Sequence, residues 1–141
     1  MKFLDREATI AEPGFNRWLV PPAALAVHLS IGQIYAYSVF NAPLTKLIGI
    51  TESADGDWKL TTVGWIFSIA LAMLGASAAL FGTWMERVGP RKAMFVAACC
   101  FSLGFFVSAL GVTTHNLFLL YFGNGVIGGI GLGLGYIGPV S

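Results

Sequence analysis

Charged residues divide this chain into long segments that carry no charge, and this pattern restricts the folds that are open to it. The charge-free segments are 18–45, 60–85 and 93–141, with 28, 26 and 49 residues. A helix needs roughly 20 apolar residues to cross the hydrocarbon core of a bilayer. The first two segments are therefore long enough for one membrane span each, and the third is long enough for two.

The composition also indicates a membrane protein. Charged residues make up 11% of the chain and hydrophobic residues 56%, whereas soluble domains contain about 25% charged residues. With so few charges, the chain has too little polar surface for a soluble fold of this size. The predicted partner is therefore the lipid bilayer. The formal net charge of +1 gives no reason to expect nucleic-acid binding.

We therefore predict an all-α membrane protein that begins with a polar tail over residues 1–17. The predicted transmembrane helices fill the segment 18–141, at about 18–42, 60–83, 93–112 and 117–138. The polar residues 113–116 form the turn between the last two helices. Because no charged anchor follows the fourth helix, we expect the sequence to be truncated at its C-terminus.

The lysine and arginine residues predict an orientation. Six of the eight lie in the tail or between the second and third helices: Lys2, Arg6, Arg17, Arg87, Arg91 and Lys92. The other two, Lys46 and Lys59, lie between the first and second helices. Loops rich in lysine and arginine stay on the cytoplasmic side. We therefore expect a multi-pass protein of the cell membrane (inner or plasma membrane) with a cytoplasmic N-terminus.

The most specific local pattern lies between the second and third helices and combines glycines with charges. It consists of Gly82, Glu86, Arg87, Gly89, Arg91 and Lys92. Gly82 is expected to let two helices approach closely, and Gly89 with Pro90 predicts a sharp turn within a charged loop over 86–92. The alternative is a plain basic loop that only fixes the orientation.

This pattern resembles the loop signature between the second and third helices of the major facilitator superfamily, with Glu86 where aspartate is commoner. The segments 16–18, 32–43 and 131–139 further resemble the oxalate/formate antiporter family. The resemblance implies the N-terminal four helices of a twelve-helix transporter, whose missing C-terminal half is a partner. It also implies alternating-access transport of small carboxylates such as oxalate, formate or related monocarboxylates, with the loop as a conformational gate.

Polar residues of the first helix form two stripes when they are placed at about 100° per residue. One stripe contains Ser30, Gln33, Tyr37 and Asn41, and the other contains His28 and Tyr35. Polar groups in a span face the bundle interior or a cavity, and geometry alone does not choose between the stripes. The family resemblance implies that Tyr35 contacts substrate, flanked by Gln33. For both residues, interhelical packing is the alternative.

Glycines dominate the fourth helix and define two smooth faces. The first face contains Gly125, Gly129 and Gly133, and the second contains Gly128, Gly131, Gly135 and Gly138. Such faces favour close packing against two neighbouring helices. Tyr136 falls on the first face, and the resemblance implies a substrate contact there, with packing as the alternative. Residues 123–128 match a dinucleotide fingerprint by letters, but a preceding strand and a later acid are absent.

The competing class is a small four-helix membrane scaffold or subunit that is complete in itself. An enzyme is not predicted, since the sequence shows neither a metal-ligand cluster nor a nucleophile paired with a base. We expect no metal and no cofactor.

Overall fold

The computed structural model of the chain describes residues 4–47 and 49–139, and every regular element in these ranges is helical. Four stretches are long and apolar enough to cross a membrane. They are Arg17–Leu44, Leu60–Val88, Pro90–Thr113 and Leu117–Ile137, called here the first to fourth spans. This architecture confirms the predicted all-helical fold with four spans. Lys2 of the basic tail and Ser141 at the expected truncation lie outside the described residues.

The first span is not one continuous helix. It contains an α-helix over Val20–Ile31, a 3-10 helix over Gly32–Ile34, a turn, and a second α-helix over Ser38–Leu44. A 3-10 helix rotates by about 120° per residue instead of about 100°, so positions on the two sides of this interruption do not share one face. The predicted stripe of Ser30, Gln33, Tyr37 and Asn41 is therefore wrong, because Ser30 is exposed while Tyr37 is buried.

The second and third spans are joined by a single residue, so the prediction of a charged loop over 86–92 is wrong. Gly89 has φ 94° and ψ 155°, a conformation that only glycine adopts readily. Pro90 is the first residue of the third span. Proline lacks a backbone N–H, and this costs nothing there because the first N–H of a helix makes no intrahelical hydrogen bond. The charged residues of the pattern lie in helix ends instead, Glu86 and Arg87 before the junction and Arg91 and Lys92 after it.

The fourth span packs between the second and third spans through its glycines. A Cβ atom added at Gly129 would lie 2.7 Å from the Met73 Cβ of the second span. A Cβ atom added at Gly131 would lie 2.7 Å from the Phe101 amide nitrogen of the third span. Only glycine allows such an approach, and this confirms the prediction of two smooth faces packed against two neighbours.

Contacts between loops define the two ends of the bundle. At one end, the tail meets the start of the third span, where the Asp5 carboxylate lies 3.0 Å from the Lys92 ammonium. At the other end, the Trp58 and His115 rings stack with centroids 3.9 Å apart and an interplanar angle of 10°. The tail and the Gly89 junction therefore share one end, and the remaining two connections share the other.

Candidate functional site

The three predicted substrate-binding residues differ in their surroundings. Gln33 is half-buried and lines a cavity. Tyr35 lies in the turn that follows the 3-10 helix of the first span and is 65% exposed. Tyr136 is 45% exposed near the end of the fourth span, and its ring packs edge-on against His28 with centroids 5.4 Å apart. The structure thus places Gln33 at a cavity and both tyrosine rings at the surface of the four-span bundle.

The cavity that Gln33 lines has a volume of about 220 Å³ and lies among the first, third and fourth spans. It is called here the Gln33 cavity; four residues with polar side chains contribute to its lining, Gln33, Tyr37, Ser108 and Asn124, but the surface they leave accessible is almost entirely apolar. The rest of its lining is apolar, and none of its lining residues carries a formal charge. Among these residues, the Tyr37 side chain interacts with the Asn124 side chain, and this contact brings the first span against the fourth.

Tyr37 and Asn124 both belong to irregular backbone. Tyr37 lies in the interruption of the first span, and Asn124 lies in the middle of a π-helix over Tyr121–Ile127. Irregular helical segments in membrane proteins occur where they line cavities or are buried in protein, and π-helical turns are frequent at functional sites. Asn124 was not among the predicted site residues, although an asparagine inside an apolar span itself indicates a functional position.

Ser108 carries an unsatisfied hydroxyl at the contact between the third and fourth spans. The residue is 8% exposed, and its Oγ has no hydrogen-bond partner within the described part of the chain. A Cβ atom at Gly123 would lie 2.8 Å from this Oγ and 2.9 Å from the Gly104 carbonyl oxygen. A buried polar group without a partner costs about 1–3 kcal/mol, so this hydroxyl lowers the stability of the contact between the two spans.

The Gly89 junction is covered by the N-terminal tail. A Cβ atom at Gly89 would lie 3.1 Å from the Arg6 Cα, within a short 3-10 helix over Arg6–Thr9. The hydrogen bond from Lys92, and then its positive charge, hold the pKa of the Asp5 carboxyl below its ordinary value of 3.8. The contact between the tail and the Gly89 junction was not predicted, because no pattern in the tail sequence indicates it.

No helix within the described residues approaches Gly82 closely. A Cβ atom added there would meet nothing within 4 Å in the described structure. The close approach at Gly82 therefore stays a prediction.

Comparison with known proteins gives relatives that are transporters. The chain is 28% identical over 126 residues, 89% of its length, to an uncharacterized transporter of the major facilitator type from Escherichia coli. It is 29% identical over 82% of its length to a riboflavin transporter from Saccharomyces cerevisiae. It is 33% identical over 74% of its length to monocarboxylate transporter 1 from Rattus norvegicus. These likenesses support the major facilitator superfamily.

The chain spans only 29%, 22% and 20% of the length of these three curated relatives. Its four helical spans are consistent with a fragment of a major facilitator fold. No protein-family model matches the chain, and no solved structure matches it.

Proposed function

We propose that this chain forms the first four membrane spans of a secondary transporter of the major facilitator superfamily that moves small carboxylates by alternating access. The observation that carries this proposal is the likeness to transporters over most of the chain, among them a monocarboxylate transporter. The relatives' names include riboflavin as well as monocarboxylate, so the choice of oxalate, formate or a related monocarboxylate depends on the family resemblance.

In this proposal, Tyr35, Tyr136 and Gln33 contact the substrate. Both tyrosine rings are exposed on the four-span bundle, which leaves their hydroxyl groups free to donate hydrogen bonds to a carboxylate. A carboxylate that leaves water also needs a positive partner. The four spans supply no lysine or arginine away from their ends, so that charge comes from the C-terminal half of the complete transporter.

The Gly89 junction acts in this proposal as the gate on the cytoplasmic side, together with Gly82, Glu86, Arg87, Arg91 and Lys92. A connection of one residue forces the ends of the second and third spans to move together, because there is no slack between them. The tail lies against this junction, so a movement of the gate must carry or release the tail. The basic residues described at this end, Arg6, Arg17, Arg87, Arg91 and Lys92, favour the cytoplasmic side of the cell membrane for it.

Uptake of labelled oxalate, formate and lactate into proteoliposomes that contain the complete transporter tests the proposal. We expect Tyr35→Phe and Tyr136→Phe to raise the KM for the transported acid while insertion stays normal, because each loses one hydrogen bond to substrate. Tyr121→Phe is the matched control. Its hydroxyl donates to the Thr62 carbonyl oxygen at 2.6 Å, so this variant should lower stability and leave KM unchanged.

Equal uptake by both tyrosine variants and the parent would remove Tyr35 and Tyr136 from the site. No uptake of any acid by a correctly inserted protein would contradict the carboxylate assignment. The gate has its own test, which is the labelling of a cysteine introduced into the cytoplasmic cavity. Glu86→Gln should change that labelling rate, and an unchanged rate would count against the gate.

A further inference from the structure

We propose that an anionic phospholipid binds along the first span, with its phosphate at Arg17 and Arg91 and one acyl chain in an apolar groove. The site consists of three adjoining cavities of about 1070, 410 and 320 Å³, called here the side groove. The proposed carboxylate transport does not depend on this site, so either proposal can stand without the other.

The three cavities adjoin one another because they share lining residues. The largest lies under the tail and shares Phe15 and Val20 with the second cavity. The second cavity shares Val27 and Met94 with the third, whose lining extends to Phe101. The side groove therefore runs from the tail to the place where the first, third and fourth spans meet.

The length of the side groove matches one leaflet of a bilayer. Along the first span its lining extends from Val20 to Ile31, which are eleven residues apart, or about 16 Å at about 1.5 Å per residue. The hydrocarbon core of a bilayer is about 30 Å thick, so one leaflet is about 15 Å deep. An acyl chain whose headgroup lies at the tail end therefore has the length of the groove.

The lining of the side groove is charged at one end and apolar along the rest. The charged residues of the cavity under the tail are Glu12, Arg17 and Arg91. In the second and third cavities the described lining is apolar except for Ser30. A free phosphate ion would contact only the charged end. A phospholipid contacts both parts, because it joins a phosphate to acyl chains.

The charges at the tail end favour an anion. Two arginines and one glutamate give this cavity a formal charge of +1, which complements the single negative charge of a phosphodiester. Guanidinium groups bind phosphate through paired N–H donors. Arg17 and Arg91 reach the cavity from the first and third spans, and basic pockets between membrane spans bind anionic headgroups.

Trp18 indicates the depth of the charged end in a membrane. Its side chain is 83% exposed, and tryptophan side chains are enriched at the level of the lipid headgroups. Arg17 precedes it and is also exposed. The charged end of the side groove therefore lies at the level of the lipid phosphates, and the apolar part lies at the depth of the acyl chains.

Native mass spectrometry of the complete protein, released from a mild detergent, tests the proposal with dioleoyl phosphatidylglycerol as the probe. Titration gives the apparent Kd from the ratio of lipid-bound to lipid-free protein. Dioleoyl phosphatidylcholine is the comparison, because it has the same acyl chains and no net charge. We expect phosphatidylglycerol to bind at least about fivefold more tightly, the effect of one basic residue near a membrane surface. Equal affinity for the two lipids would overturn the proposal.

Variants at the charged end locate the phosphate. Arg17→Gln and Arg91→Gln should each weaken the binding of phosphatidylglycerol by about fivefold. Arg87→Gln is the matched control, because Arg87 is an exposed arginine at the same end of the bundle and does not contribute to the described lining of the side groove. Glu12→Gln should strengthen binding, which a folding defect cannot cause. Equal affinities in these four variants and the parent would overturn the assignment of the phosphate.

A further pair of variants tests the apolar part. Ala98 is exposed and lines the third cavity, so Ala98→Leu should occupy the groove and weaken the binding of phosphatidylglycerol. Cys99→Leu adds a similar side chain at an exposed neighbour outside the described lining and should bind like the parent. Equal binding by both variants would remove the acyl chain from the groove. If another helix of the complete protein fills the groove, Ala98→Leu will lower stability and leave lipid binding unchanged, and this result would also overturn the proposal.

Discussion

The first and fourth spans are both interrupted helices, yet the bundle holds them by different contacts. In the apolar stretch of the fourth span 56% of the residues are buried, against 11% in the first span. The fourth span touches the backbones of two neighbours through its glycines. The first span is anchored mainly by the buried side chains of Ile34 and Tyr37. Within the described residues, the fourth span is thus the centre of the bundle, and the first span lies beside it and is held by fewer buried side chains.

The two kinds of contact predict different freedom of movement for the two spans. Packing of backbone against backbone has no side chain that can adjust, so a movement of the fourth span requires a movement of its two neighbours. A span held by two side chains can tilt by changing their rotamers. The Gln33 cavity lies between the two spans, because its Tyr37 belongs to the first span and its Asn124 to the fourth.

The largest predicted effect comes from adding a side chain at a glycine of the fourth span that contacts the backbone of a neighbouring span. Gly131→Ala should lower the free energy of unfolding by about 2 kcal/mol, because the new methyl group overlaps the Phe101 backbone and the spans must separate. Unfolding in mixed micelles with increasing SDS, followed by far-ultraviolet circular dichroism, measures this change.

The matched control is Gly135→Ala, one turn further along the same span. A Cβ atom there would have its nearest neighbours at 3.7 and 3.8 Å, the Ile31 and Ala97 side chains, which is ordinary contact. Alanine also favours a helix by up to about 1 kcal/mol over glycine. Gly135→Ala should therefore be neutral or stabilising. Equal destabilisation by both variants would show that the fourth span does not depend on backbone contact.

A smaller effect is predicted for the anchor of the first span. Ile34 is 3% exposed and packs with Ala70 and Leu132, so Ile34→Ala should destabilise the bundle by about 1–2 kcal/mol. This is less than the loss in a water-soluble core, because lipid removes most of the hydrophobic term and only packing is lost. The same SDS titration measures it.

Val39→Ala is the control for Ile34→Ala, because Val39 lies in the same span and is 71% exposed. We expect its unfolding to match the parent within the error of the method. If Ile34→Ala were as stable as Val39→Ala, the first span would not be anchored at Ile34, and the contrast with the fourth span would have to be drawn elsewhere.

The sequence predicted the parts of the fold that depend on one helix at a time. Charge-free segments set the number of spans, and glycine spacing set the two faces of the fourth span. The interruption at Gly32–Ile34 was not predictable, since residues 18–45 form one apolar segment and a helical wheel assumes constant rotation. The π-helix around Asn124 depends on contacts between spans, which no local pattern encodes. The sharp turn at Gly89 was predicted from Gly89 and Pro90, but the helical conformation of the charged residues on both sides of it was not. The roles of Tyr35, Gln33 and Tyr136 remain predictions.

The smallest predicted effect concerns the tail, which precedes the first span and contacts Lys92 and Gly89. Lys92 lowers the pKa of Asp5 from 3.8, so the ion pair contributes fully above that pH and is lost as the pH falls through the lowered pKa. Hydrogen exchange at residues 6–10, corrected for intrinsic rates, should therefore become faster at acidic pH. Asp5→Asn should show the faster exchange already at neutral pH, because its side chain carries no charge for Lys92. Glu12→Gln, which neutralises an exposed acid of the same tail, should exchange like the parent. If Asp5→Asn also exchanged like the parent at neutral pH, the ion pair with Lys92 would contribute nothing measurable to holding the tail against the Gly89 junction.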